Sequence, residues 1–236
     1  MNSCYYETLE ENFKEALALC ETNFSHNELM DMLQNGNIPQ KQIAALKLTD
    51  ITSEQDAEIL LANLTGQDGK IREAVSIKLD EFMNNPHTAP FFNNIKNYDI
   101  FLDAVIDINA NICRNVISAI SSWKNNKPFC DYFCKKITEM ILCLLEKIEN
   151  FNERDGKYTV NKQLFKLYWC LECVYTFFEN FDTETLKSIL NRTKSVQEYT
   201  IREKTAKILT RNIQDPELLQ IKAELKQDPN YYVKKY

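Results

Sequence analysis

Glycine and proline are scarce, 4 and 6 in 236 residues, too few turn formers for a fold built of many short strands. Between them run Leu, Ile, Lys, Glu, Gln and Ala, mostly good helix formers, so the chain reads as all-α. Histidine is scarcer still: His26 and His87 are the two present, and neither lies in an HExxH helix. GxSxG, GxGxxG and GxxxxGK[ST] are missing as well, which argues against the zinc-hydrolase, serine-hydrolase, dinucleotide and phosphate-loop chemistries that those spacings serve. His26 follows Ser25 ahead of a helix and reads as a local capping or surface residue, and His87 in "NNPHTAP" as a loop residue. Long apolar runs are also lacking. "MILCLL", Met140 to Leu145, is bracketed by Glu139 and Glu146, far short of the roughly 18 residues of a membrane span. The N-terminal stretch is acidic and has none of the basic-then-apolar order of an export signal.

Cysteine is present in number, 8 residues, but inside apolar helical patterns instead of at loop positions with framework spacing. That points to a reducing, cytoplasmic setting. Cys130 and Cys134, four apart, and Cys170 and Cys173, three apart, share helix faces as metal ligands would. Their mid-helix setting favours buried, inert thiols. Charge is unevenly spread: residues 1–118 carry 8 Lys/Arg and 18 Asp/Glu, net −10, and residues 119–236 carry 20 and 16, net +4.

A repeat runs through the chain. "GQDGKIREAVSIKLDEFM" (66–83) is echoed by "DINANICRNVISAI", "DGKYTVNKQLFKLY", "SVQEYTIREKTAKIL" and "DPNYYVKKY", with a weaker earlier copy at "NIPQKQIAALKLTDI". Equating Ile71, Ile112, Val160, Ile201 and Val233 gives steps of 41, 48, 41 and 32 residues. Asp107, Asp155 and Asp228 each precede their β-branched residue by five positions, and Asp68 precedes Ile71 by three. An Asp there is expected to cap the next helix, the β-branched residue to enter the core, and a following basic residue, Arg72 or Arg202, to pair with an Asp of a neighbouring repeat.

These segments resemble the second helix of HEAT repeats: Asp68, Ile71, Arg72 and Ala74 follow the family pattern with a shortened gap, and Ile201 and Arg202 match it again. The resemblance loosens at Ile112, followed by Cys113, and at Val160, followed by Asn161. It implies a right-handed α-α superhelix, a HEAT-like solenoid of five to six helix pairs forming a single domain over residues 1–236. Capping helices would occupy 1–35, N-terminal repeats 38–126, a long central pair 127–181 and C-terminal repeats 182–236. Helices are expected near 5–21, 27–34, 39–51, 54–63, 70–84, 97–107, 110–124, 129–150, 160–181, 183–191, 196–212 and 216–227, with a short one from Pro229. The prolines fall at starts or connections, where their missing N–H is tolerated. In the first helix Leu9, Phe13, Leu17, Cys20 and Phe24 form an apolar stripe expected to face the next helices. In the central helix apolar residues on two faces, Leu167 and Leu171 on one and Trp169 and Cys173 on the other, call for neighbours on both sides.

In such a superhelix second helices line the concave surface. Lys162 and Lys166, then Lys204, Lys207 and Arg211, then Lys234 and Lys235 would form a basic trough there, with Trp169 as an aromatic element; a merely solvated face is the plainer reading. The function expected is a non-enzymatic scaffold, without cofactor or bound metal, that binds a protein partner on this face. The alternative is nucleic-acid binding, as in the alkylpurine glycosylases among HEAT-like folds, for which Trp123, Trp169 and Arg202 are present but no cleft Asp can be assigned. A cofactor-handling superhelix has no residue to carry it. Self-association is a third possibility, through the uncovered final segment "DPNYYVKKY".

Overall fold

The structure, a computed structural model, describes residues 3–151 and 156–236. Thirteen α-helices and no strand occur among the described residues. They are α1 (Ser3–Glu21), α2 (His26–Asn35), α3 (Ile38–Lys47), α4 (Glu54–Leu61), α5 (Gly69–Met83), α6 (Asp99–Ala104) and α7 (Ala110–Ile120). Then come α8 (Lys127–Glu149), α9 (Lys157–Thr176), α10 (Thr183–Thr193), α11 (Tyr199–Ile208), α12 (Pro216–Leu225) and α13 (Tyr231–Lys234).

Helix starts are set by side chains that satisfy the first free N–H groups. Ser25 with Glu28, and Asn37 with Gln40, form reciprocal capping boxes at α2 and α3. Pro39, Pro128 and Pro216 sit in first turns. A turn of 3-10 helix at Ala89–Phe92, not anticipated from the sequence, buries Phe92; beside it, buried Thr88 donates to the Phe82 carbonyl at 2.7 Å.

The chain divides into two compact units, residues 1–104 with 108–122, and residues 105–107 with 123–236. In the first unit α1, α3, α5 and α7 pack in succession, with α2 and α4 beside α3 and α5 and α6 beside α7. Leu33, Ala44, Leu48, Leu60, Val75, Leu79 and Val116 are fully enclosed at its core. In the second unit one row runs α8, α10, α12 and the other α9, α11, α13, with α8 against α9 and α10 against α11. Its core is aromatic: Phe129 and Phe133 stack at 5.1 Å, Phe177 lies 5.3 Å from Phe133, and Trp123 meets Phe129 edge-on at 5.0 Å.

Four of the five recurring positions share a local setting. Ile71, Ile112, Ile201 and Val233 are buried and Val160 is half-buried; Asp155 lies outside the described residues. The expected Asp caps need correcting. Asp68 does cap α5, accepting the Lys70 N–H, but Asn109 caps α7 and Asn230 caps α13, so Asp107 and Asp228 stand two residues further out. The working register is a capping side chain three residues before the buried aliphatic one, as in Asp68 and Ile71, Asn109 and Ile112, Glu198 and Ile201, Asn230 and Val233. The arginine after the isoleucine also recurs in role: Arg72 donates to the Gln67 carbonyl, and Arg202 donates to those of Gln197 at 2.6 Å and Val196 at 2.9 Å. The expected cross-repeat pair forms at Arg202, which grips Asp228 at 2.6 and 3.2 Å.

The apolar stripe of α1 departs from expectation: Phe13 is 64% and Leu17 51% exposed, and Cys20 is exposed too. A stripe buries only if a second helix covers it, and α1 packs chiefly on α3.

Arg202's guanidinium holds the Asp228 carboxyl below the usual carboxylate range, against a weaker opposing push from burial. A depressed carboxyl stabilises the fold fully above its unfolded pKa and loses that contribution as pH falls through the folded value. Arg202→Leu should therefore cost about 2 to 3 kcal/mol at neutral pH. By urea unfolding, the gap from the parent should narrow below about pH 4.

Candidate interaction face on α9, α11 and α13

Tyr168, Glu172 and Tyr175 follow one another at four and three residues along α9, and Lys204, Lys207 and Arg211 at three and four along and just beyond α11. Both spacings keep a set on one helix face, and α9 packs against α11. Lys204 ion-pairs with Glu172 and sits 4.3 Å from the centre of the Tyr168 ring. Lys207 lies 3.7 Å from the same Glu172 and 4.4 Å from the Tyr175 ring. Arg211 stacks 4.1 Å from that ring and donates to the Tyr175 carbonyl at 3.0 Å. Lys204 and Lys207 thus share one carboxylate, and the three cations lie over two rings.

Lys204 was expected as an exposed cation and is instead only 5% exposed. Its stem packs between the helices and its ammonium is spent on Glu172. Burial alone would lower its pKa, but the hydrogen bond and charge of Glu172, helped by Tyr168, outweigh that and hold it above the ordinary lysine value. Lys207 and Arg211 remain half-exposed. The geometry at Tyr175 is that of cation–π contact, worth about 0.5 to 2 kcal/mol according to how far it is desolvated.

Further along the row Lys235 pairs with Glu203 at 2.9 Å and lies over the Tyr232 and Tyr236 rings at 5.2 and 4.8 Å. Tyr199 and Tyr231 pack against Tyr232 at 6.2 and 5.8 Å, all three substantially exposed. Lys162, Lys166 and Lys234 have no side-chain partner among the described residues, and Lys162 and Lys234 are exposed. The structure thus brings together Lys204, Lys207 and Arg211, joins Lys235 to α11 through Glu203, and gives Lys162, Lys166 and Lys234 no side-chain hydrogen bond or ion pair among the described residues.

Trp169 is not the aromatic element of this face. It is 7% exposed, packed edge-on against Tyr168 at 5.4 Å, and its indole nitrogen is buried with no hydrogen-bond partner among the described residues. Tyr168 and Tyr175 supply the aromatic surface, and their seven-residue spacing, matching that of Lys204 and Arg211, was the available signal in the sequence. Trp123 is also buried and Arg202 is engaged by Asp228. The residues set aside for a base-flipping cleft therefore serve packing and turn closure here.

The remaining candidates occupy structural settings. His26 Nε2 lies 3.0 Å from Asp56 Oδ2, joining α2 to α4, while His87 is exposed in a turn. Cys130, Cys134, Cys170 and Cys173 are buried, and burial, with Cys130 and Asp131 nearby, pushes the Cys134 thiol up to about 12. Among the described residues no three His, Cys, Asp or Glu side chains are grouped to hold a metal, and no helix is long and apolar enough to cross a membrane. Compared with family models, curated proteins and solved structures, the chain matches none.

Because Lys204 is buried against one carboxylate, Glu172→Gln should destabilise the fold by about 3 kcal/mol by stranding the ammonium. Adding Lys204→Met should restore most of that loss. The double-mutant cycle from denaturant unfolding checks this, and additive single effects would mean the pair is not coupled.

Proposed function

We propose that this chain is a non-enzymatic scaffold of HEAT-like helix pairs, and that the exposed side of α9, α11 and α13 binds an acidic segment of a partner protein. The observation that carries this reading is the charge imbalance at Tyr175: Lys207 and Arg211 flank one ring, and among the described residues Glu172, already engaged by Lys204, is the one carboxylate beside them. A carboxylate arriving there completes the set, with the tyrosine ring as apolar floor. Lys162, Lys166 and Lys234 extend the positive field on either side and set association rate and orientation more than affinity. The recurring register of cap, buried aliphatic residue and back-folded arginine supports the repeat reading, in which these second helices line a concave surface.

Nucleic-acid binding, the alternative, draws on the same cations and aromatic rings. Arg192, Lys194, Arg202, Lys204 and Lys235 are each paired with a carboxylate of the chain, which leaves fewer charges to neutralise phosphates and favours the protein reading.

The test compares a labelled glutamate-rich peptide with a labelled single-stranded DNA, for the parent and for Lys207→Glu/Arg211→Glu. The peptide should bind the parent and lose about tenfold in affinity in the variant. Tighter binding of the DNA, falling steeply with salt, would replace this reading with the alternative.

A further inference from the structure

The geometry points to a second docking surface, in the first unit, where the groove between α1 and α3 receives a basic amphipathic helix of a partner protein. The groove has a volume of about 650 Å³ and is floored by Phe13, Ala16, Leu17, Cys20, Ile38 and Pro39. Phe13, Leu17 and Ile38 are 64%, 51% and 42% exposed, large apolar side chains gathered in one concavity instead of scattered singly. No side chain of α1 from Glu10 to Glu21 is buried, although the helix is amphipathic. Phe13, Leu17 and Cys20 stand at i, i+4 and i+7, a stripe that a second helix laid alongside would cover, as in helix-in-groove recognition. Leaving such a patch in water forfeits hydrophobic burial that a partner helix would supply.

The charge around the groove selects the occupant. Helix α1 carries Glu7, Glu10, Glu11, Glu15 and Glu21 against a single Lys14, net −4. Lys14 bridges Glu10 and Asn37 donates to Glu15, whereas the exposed Glu11 and Glu21 have no side-chain partner among the described residues. Asp68 and Lys70, also lining the groove, cancel each other. An incoming helix with Lys or Arg beside its apolar stripe would meet unpaired carboxylates. A second copy of α1 in the same seat would set two acidic helices against each other, which like-charge repulsion disfavours.

Two synthetic helices of about 18 residues, five turns, test this. They share Leu and Phe at i, i+4, i+7 and differ only in carrying Lys and Arg, or Glu and Asp, on the polar face. Binding to the full chain is read by fluorescence anisotropy for the parent, Leu17→Asp and a distant control, Ile77→Asp, with circular dichroism confirming that each is folded. Leu17 and Ile77 are both substantially exposed, so neither change removes a core residue. The basic helix should bind at least about tenfold more tightly than the acidic one, and Leu17→Asp, unlike Ile77→Asp, should lose that binding by a similar factor. Equal binding of the two helices, binding of neither, or no effect of Leu17→Asp overturns the proposal. So does a concentration-dependent dimer in sedimentation that Leu17→Asp abolishes, because the seat would then belong to a second copy.

Discussion

Helices that are apolar around more than one face cannot stand at a surface, and in a protein whose described residues form no strand only other helices can cover them. α5 buries Ile71, Ala74, Val75, Leu79, Phe82 and Met83 and is flanked by α3, α4 and α7; α11 buries Ile201, Ala206 and Ile208 and is flanked by α9, α10 and α13. Once such a helix is enclosed, the free backbone groups at its start must be satisfied by nearby side chains. That requirement accounts for the cap three residues before the buried aliphatic residue and for the arginines that fold back onto the carbonyls ahead of their own helix.

The same enclosure leaves one side of each inner helix facing the next across a polar seam. At four of these seams the carboxylate sits on the earlier helix and the donor at the later one, Glu15 with Asn37, Glu73 with Asn111, Glu172 with Lys204 and Glu203 with Lys235, whereas Arg202 with Asp228 and Lys194 with Glu224 run the other way. The donors at the two first-unit seams are neutral amides, which do not cancel the charge of Glu15 and Glu73. Those in the second are lysines, so much of that unit's positive charge is used internally. The uneven charge of the sequence becomes two different surfaces, an acidic apolar groove and a partly neutralised cationic and aromatic face.

Helix existence was legible in the sequence because Pro39, Pro128 and Pro216, and caps such as Ser25, Asn37 and Asp68, punctuate long runs of helix formers. The buried positions Ile71, Ile112, Ile201 and Val233 were legible from their recurrence. What misled was the Asp of the repeat: Asp107 and Asp228 look like caps, but asparagines two residues later do the work, and Asn and Asp serve equally well there. Burial of Lys204 was hidden for a different reason. Spacing tells which face of a helix a lysine shares, not that a glutamate 32 residues earlier will meet it. Likewise the stripe on α1 has the periodicity of a buried face, and periodicity does not say whether a covering helix exists within the chain.

The claim most open to direct test is that α11 divides its cations, Lys204 spent inside the fold and Lys207 left at the surface beside Arg211. Side-chain NMR of nitrogen-labelled lysines reports hydrogen exchange at each ammonium. Among Lys162, Lys166, Lys204 and Lys207 the account predicts a slowly exchanging ammonium at Lys204 alone, assigned by its loss in Lys204→Met, while the other three exchange rapidly. Equally fast exchange at all four would mean that Lys204 is solvated and that the face is a uniform basic surface.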